Sequence, residues 1–349
     1  MLLSDFDYHL PEELIAQKPL KDRDASRMLI LDRVARTRAD SHFELLPEYV
    51  RPGDVLVVNN TRVFPARLIG QREPSGGRVE VLLTRELEPA IWEALVRPAH
   101  RLKVGAKLRF GDSGLRAKVL ECSTKGTRRL EFETADEKSP SLETLLNQQG
   151  HIPLPHYIRR PAGESLEDNE RYQTVFARER GAIAAPTAGL HFTGDVISAL
   201  QARQVRVVEL TLHVGYGTFE PVRVDNIAEH RVAPEFFQIS ETAAATINES
   251  RAQGGRVIAV GTTTTRALES AANDAGQVVA GAGQSELTIL PGYNFRVTDA
   301  LLTNFHLPRS SLLLLVSAFA GRDFTLEAYR HAVDARYRFY SYGDCMFVI

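Results

Sequence analysis

The sequence predicts a mixed α/β main domain carrying an inserted small antiparallel β-barrel, and three observations lead to it. Apolar runs at 28–31, 54–58, 205–212 and 256–260 alternate with helical patterns in the first and last parts of the chain. Between about Gly70 and Pro155 the texture changes to brief segments of alternating polar and apolar residues. Gly and Pro turns separate those segments at near-regular spacing, the pattern of a small barrel. With 349 residues and 44 % hydrophobic content the chain has material for two packed cores. The expected division gives residues 1–69 and 156–349 to the α/β domain and 70–155 to the barrel.

The elements follow in chain order. A short helix is expected over 11–17, then strands over 28–31 and 54–58, the second ending in the polar turn Asn59-Asn-Thr-Arg62. Barrel strands are expected at 79–83, 91–96, 106–110, 116–120 and 129–132. After Gly150-His-Ile-Pro-Leu-Pro155 come a strand over 205–212, a helix over 241–253, a strand over 256–260, a helix from Arg266 and a strand over 312–316. The last helix, 326–338, shows Leu326, Tyr329, Val333 and Tyr337 as a docking stripe. Behind it lies Tyr340-Ser-Tyr-Gly343-Asp344, whose Gly and Asp are ordinary turn residues.

Net charge is −2, yet the charges are segregated. Between Arg97 and Leu130 ten Lys or Arg face only Asp112 and Glu121, a footprint expected for a phosphate backbone and equally for a solvated barrel face. Cys122 and Cys345 have no disulfide or zinc spacing, which fits a reducing compartment. The N-terminus is acidic where a signal peptide would be basic, and the apolar run at 312–320 is too short to span a bilayer. A cytoplasmic monomer with no membrane association is expected.

Three cassettes place one histidine each where a strand meets turn residues: Ala184-Ala-Pro-Thr-Ala-Gly-Leu-His191-Phe192, Leu212-His213-Val-Gly-Tyr-Gly-Thr-Phe219-Glu220-Pro221 and Thr303-Asn-Phe-His306-Leu-Pro308. Proton-carrying residues beside Gly and Pro at strand ends are how open α/β sheets build active sites. Each histidine taken singly also has a structural explanation, a hydrogen bond to a neighbouring carbonyl. A polar setting with Thr187, Glu220, Asn304 and Asp299 would let one or two of them titrate near neutrality. Gly261-Thr-Thr-Thr-Thr265-Arg266 follows a strand and opens a helix, so amides, hydroxyls and a guanidinium converge there on a carboxylate or phosphate. It lacks the Gly-Lys of a phosphate-binding P-loop, and the alternative is a plain threonine cap.

Gly215-Tyr-Gly217 lets backbone approach a flat ligand, with Tyr216 or Phe219 as a stacking face, or forms a tight turn. The patch His156, Tyr157, Arg159 and Arg160 combines cations with rings as RNA-binding surfaces do, or is a solvated linker. No metal-ligating spacing is present, and no metal or cofactor is expected.

Leu10-Pro-Glu-Glu-Leu-Ile-Ala16, Asn59-Asn-Thr-Arg-Val63 with Pro65-Ala-Arg67, Gly150-His-Ile-Pro-Leu-Pro155, Tyr172-Gln-Thr-Val-Phe176, the three histidine cassettes, Gly261-Thr-Thr and Tyr337-Arg-Phe-Tyr-Ser-Tyr-Gly-Asp344 together resemble the S-adenosylmethionine:tRNA ribosyltransferase-isomerase family of queuosine biosynthesis. The match runs essentially end to end. One departure is visible: the family's usual His-x-Met-His-x-Glu block reads here His230-Arg-Val-Ala233-Pro-Glu235, with alanine in place of the second histidine.

The resemblance implies an α/β domain with an inserted barrel and an uncommon reaction. S-adenosylmethionine donates its ribosyl portion to 7-aminomethyl-7-deazaguanine at the tRNA wobble position, adenine and methionine leave, and epoxyqueuosine results. S-adenosylmethionine is thus substrate and tRNA the partner. The sulfonium acidifies its neighbouring carbon, so the chemistry calls for a base, a donor to the departing adenine and exclusion of water. The residue chemistry assigns His191 and His213 to acid and base work and His306 to positioning the ribose. Thr262, Thr263, Thr264 and Arg266 are expected to hold the methionine carboxylate, Tyr216 or Phe219 to face a base, and Thr187, Glu220 and Asn304 to complete the substrate site. Arg128 and Arg129, with the 156–160 patch, are expected to grip tRNA. A methyltransferase would show a Gly-rich loop near the start of a nucleotide domain, and a non-catalytic RNA-binding module would leave the histidine cassettes without purpose.

Overall fold

The computed structural model of the chain describes residues 1–123, 126–134, 140–160, 166–219 and 221–349. They form two compact units, one of Met1–Arg62, Pro155–Pro161 and Arg171–Ile349, the other of Val63–Leu154 and Ala162–Glu170. The first unit is built on a nine-stranded mixed sheet among the described residues. Its order is Gly281–Ser285, Glu235–Ile239, Arg206–Leu212, Val55–Asn59, Val257–Val260, Ala300–Asn304, Cys345–Val348, Arg27–Asp32 and Thr37–His42. From Arg206–Leu212 to Ala300–Asn304 the four neighbours run parallel, which brings their carboxyl ends to one edge.

Central strands of this sheet are buried along their whole length because both faces are covered. On one face Leu56, Val58, Ile258, Val260, Ala300, Leu302 and Phe347 pack against Phe43, Phe192 and the Val196 and Leu200 side of the helix Gly194–Ala202. The other face is covered by the helices Glu241–Ala252 and Thr262–Ser270.

Several elements differ from the sequence expectation. Residues 312–316 form part of the helix Ser311–Ala320 and not a strand. A continuous apolar run carries neither period, and the deciding signal is Ser310, whose Oγ accepts the Leu313 amide at 3.3 Å as an N-cap. The segment 11–17 makes only the 3₁₀ turn Glu12–Leu14. The helix expected from Arg266 begins at Thr262. The last helix, Arg322–Asp334, stops before Arg336 takes a left-handed φ of 54°. It buries Phe324, Leu326, Ala328, Tyr329 and Ala332, while Val333 is half-buried and Tyr337 lies beyond the helix.

In the second unit, Arg67–Glu73, Arg78–Glu88, Ile91–Arg97, Thr127–Glu133, Leu115–Cys122 and Lys107–Phe110 pair in that order, and the last returns to the first. The six strands therefore close as an antiparallel barrel. Val79, Val81, Leu83, Ala94, Val96, Leu108, Phe110, Val119, Leu130 and Phe132 alternate into its interior. Gly70 sits on the closing seam, where a Cβ would meet the Arg109 carbonyl oxygen and the Phe110 ring at 2.6 Å.

The basic stripe does not survive as one surface. Across the barrel wall Lys107 and Lys118 stand opposite each other, as do Arg109 and Arg116, but Glu73, Glu131 and Glu133 flank them in the same rows. Lys125 lies outside the described residues. Arg128 is buried and donates to the carbonyls of Leu102 at 2.9 Å, Ala99 at 2.8 Å and Thr127 at 2.9 Å, so it is not placed for phosphate. Arg129 pairs with Glu88 at 2.5 Å. Arg128→Ala should therefore destabilise the protein by about 3 kcal/mol through unpaired buried carbonyls. Urea denaturation reads this directly, and unchanged stability would contradict the structural role.

Candidate active site

At the edge where the parallel strands end, Leu212 runs into His213-Val214, Val260 into Gly261 and Asn304 into Phe305-His306. A cavity of about 230 Å³ opens beside these strand ends, its wall including Thr187, Val214, Thr262, Thr263, Asn304 and His306. Tyr157, Tyr172, Arg309, Tyr340 and Ser341 complete much of the rest, and His156 is an exposed part of the lining. The location is the crevice in which open α/β sheets bind ligands.

Asn59 aligns two of the strand ends. Its Nδ2 donates to the Leu212 carbonyl at 2.9 Å, and its Oδ1 accepts the amides of Thr61 and Leu212 at 3.0 and 3.1 Å. Just beyond, Thr61 Oγ1 lies 2.8 Å from His213 Nδ1, and the half-buried imidazole stacks on Phe236. Gly181 packs under this ring so closely that a Cβ would lie 2.7 Å from it. Burial lowers the pKa of His213, and Glu179 partly opposes the shift. His213 stands outside the cavity lining.

His306 lies in the wall with Nε2 2.9 Å from Thr303 Oγ1. Its amide donates to Tyr329 Oη at 3.1 Å, and its carbonyl accepts from Tyr8 Oη. Burial pushes its pKa down to about 3. His191, 3 % exposed, also stands outside that lining, with Nδ1 2.9 Å from Ser26 Oγ and Nε2 3.2 Å from Asn304 Nδ2. Burial pushes His191 down to about 4. Both imidazoles are held neutral at physiological pH.

Gly261 enters the helix Thr262–Ser270 at a φ of +92°, a conformation that favours glycine. Thr262 and Thr263 face the cavity, whereas Thr264 Oγ1 donates to the Val260 carbonyl at 2.7 Å and Thr265 Oγ1 to that of Gly261 at 3.1 Å. Arg266 is turned away from the expected anion site. Its guanidinium makes a buried ion pair with Glu235 and donates to the carbonyls of Leu287 at 3.0 Å and Ser285 at 3.1 Å. Glu235 also accepts the Gly215 amide at 2.9 Å, so this pair ties the helix to the start of the Gly-Tyr-Gly turn. Tyr216 is half-buried in that turn but not in the cavity wall. Glu220 and the Phe219 side chain lie outside what the structure describes.

His230 Nε2 reaches Ser311 Oγ of the cavity wall at 2.7 Å. Ala233 lies against Gly217, where a Cβ would approach it to 2.6 Å. The Tyr157 ring packs tilted against Tyr340, centroids 3.9 Å apart, and its hydroxyl meets Ser341 Oγ at 2.5 Å. Arg159 pairs with Glu12, and Arg160 donates to the Gln17 carbonyl at 2.9 Å. Sequence pattern did not single out Ser26, Arg309 or Ser311, and it marked Tyr340 only as part of the terminal Tyr-Ser-Tyr-Gly-Asp block. Arg309 and Tyr340 take left-handed φ values of 56° and 74°, a conformation with no composition signal in non-glycine residues.

A family model described as queuosine biosynthesis protein matches residues 3–348. The chain belongs to the queuosine biosynthesis protein family. It is also similar to a solved structure, the S-adenosylmethionine tRNA ribosyltransferase of Thermotoga maritima, at 38 % identity over 99 % of this chain and 100 % of that one, with a TM-score of 0.56. Among the described residues no three His, Cys, Asp or Glu side chains converge as a metal-binding set, and no helix is long and apolar enough to cross a membrane.

The neutral histidines make stability pH-dependent. Their folded pKa values lie below the unfolded value of 6.5. Stability is therefore complete above pH 6.5 and is lost as pH falls toward 4 and 3, at ~1.4 kcal/mol per pH unit for each group. Urea denaturation between pH 7 and 5 should show this slope, and His306→Gln should remove one group's share.

Proposed function

We propose that this chain transfers and isomerises the ribosyl moiety of S-adenosylmethionine onto 7-aminomethyl-7-deazaguanine at the tRNA wobble position, releasing adenine and methionine and leaving epoxyqueuosine. The observation that carries this reading is the family match over 3–348, joined to 38 % identity with a ribosyltransferase across essentially the whole chain. The cavity supports it independently: it is enclosed by aromatic, hydroxyl and amide groups at parallel strand ends, a setting for a nucleoside-containing ligand. S-adenosylmethionine enters as substrate, and the protein acts as a cytoplasmic monomer on tRNA.

Chemically, removal of the acidic proton beside the sulfonium needs a base with a pKa near the working pH. His191 and His306 are pushed far from that range by burial. His213 is half-buried and, among the described residues, its Nε2 makes no hydrogen bond, so we assign proton transfer to His213. His306, on the cavity wall, positions the ribose through its ring edge. The buried tyrosines exclude water, and burial raises the Tyr157 pKa, so that hydroxyl stays protonated. Arg101, Lys103, Lys107, Arg116 and Lys118 are exposed on the barrel and supply cations for tRNA phosphates in place of Arg128.

Product analysis on tRNA bearing the deazaguanine base tests the reading. Adenine and methionine should appear together, S-adenosylhomocysteine would indicate methylation, and no turnover would indicate a binder. His213→Ala should lower kcat by roughly 100-fold or more, and full activity in that variant would remove His213 from the proton-transfer role. Affinity for tRNA should fall steeply between 50 and 200 mM salt, concentrations chosen to read phosphate contacts, by ~10-fold or more. A flat salt response would count against phosphate gripping.

A further inference from the structure

His213 follows the strand Arg206–Leu212 with its imidazole turned to Thr61, whose Oγ1 lies 2.8 Å from Nδ1. Asn59 holds Thr61 in place by accepting its amide at 3.0 Å on Oδ1. Thr61 opens the short strand Thr61–Val63, which pairs with Glu179–Ala182. Thr61 is fully buried, and among the described residues its hydroxyl has two partners, His213 Nδ1 and, at 3.4 Å, the Glu179 carbonyl oxygen.

A hydroxyl has one proton to give, and a carbonyl oxygen only accepts. Were that proton given to Nδ1, Oγ1 would receive no donor and its contact with the Glu179 carbonyl would hold no hydrogen. With the proton given to the carbonyl, Nδ1–H supplies the donor to Oγ1, and both contacts become hydrogen bonds. The resting neutral ring therefore carries its proton on Nδ1 and a lone pair on Nε2. Turning the ring over would put Cδ2 in place of Nδ1 and forfeit the bond to Thr61. Packing keeps the ring in its plane: a Cβ on Gly181 would stand 2.7 Å from Nδ1, Cδ2 and Cε1, and the Phe236 ring lies 5.7 Å away at 21°. Glu179, exposed on the strand paired with Thr61–Val63, is the charged group that acts on the imidazole, against the burial that lowers its pKa.

We propose that Thr61 is a positioning residue for proton transfer, fixing His213 as the Nδ1–H tautomer so that Nε2 stands ready as a base and not as an acid. In the step itself the Nε2 lone pair takes the proton from the carbon beside the sulfonium, the C–H electron pair stays on that carbon, and the ring becomes an imidazolium. Nδ1–H stays on Thr61 Oγ1 throughout, so no hydroxyl has to turn while the proton moves. This assignment rests on the ribosyl-transfer reading of the site.

Long-range proton–nitrogen correlation spectra of the full chain with isotope-labelled histidine read the tautomer without any substrate, and His213→Gln identifies the signal. Above its pKa His213 should carry its proton on Nδ1, and Thr61→Val should move that proton toward Nε2. Thr61→Val should also lower kcat roughly tenfold with KM for S-adenosylmethionine unchanged, and shift the acidic limb of the kcat profile to lower pH, because the imidazolium loses an acceptor. A merely structural loss would lower activity without moving that limb. Thr61→Ser, which keeps the hydroxyl, should restore tautomer, rate and limb together. A proton on Nε2 in the unaltered protein, or a Thr61→Val variant with tautomer and limb unaltered, would overturn the proposal while leaving ribosyl transfer intact. The tautomer of the unaltered protein decides the matter even where Thr61→Val does not fold. No adenine release from the unaltered protein would instead overturn the ribosyl-transfer reading, and the base role of His213 with it.

Discussion

Parallel alignment of four neighbouring strands, Arg206–Leu212, Val55–Asn59, Val257–Val260 and Ala300–Asn304, is the constraint on which the site depends. Parallel strands must end on the same edge, so the residues after each one are delivered to a common place however far apart they lie in the chain. His213, Gly261 and Asn304 meet at one edge for this reason and no other. Asn59 makes the alignment specific, because its one amide holds both the donor and the acceptor of Leu212 on the next strand.

Polar groups near the site divide into those that build and those that remain open. Arg266 and Glu235 satisfy each other in the interior and brace the Gly215 turn, and the Thr264 and Thr265 hydroxyls are returned to the carbonyls of Val260 and Gly261 just before their helix. A buried ion pair of this kind orders structure more than it stabilises it. What stays on the cavity side is small: the Thr262 and Thr263 positions and the His306 edge. The arrangement explains why histidines in a polar, strand-terminal setting can still be poor proton acceptors. Dense packing of Phe43 beside His191 and of Tyr329 beside His306 removes the water that would stabilise their charged forms.

Much of the fold was legible because burial on two faces leaves its mark in composition: the runs at 54–58 and 256–260 lie on central strands, and the barrel segments alternate as a closed sheet requires. The run at 312–316 was misread because it is apolar at every position, and apolarity without period does not distinguish a buried helix from a buried strand. The basic stripe between Arg97 and Leu130 misled for a different reason. Charge counted along the chain ignores the neighbours supplied by pairing, and Glu73, Glu131 and Glu133 come from strands outside or at the end of that stretch.

By itself the sequence determined the fold class and the motifs that mark the family, since these depend on local patterns and on ordered blocks that survive in one dimension. Only the tertiary structure decided what each polar residue does. Arg266 and Arg128 are bound inward, His191 hydrogen-bonds the Asn304 amide, and the Asn304 oxygen is buried without a partner among the described residues. Hydrogen bonding between residues 113 positions apart, as for His191 and Asn304, is set by strand register and side-chain packing, and neither is written in the spacing of the motifs.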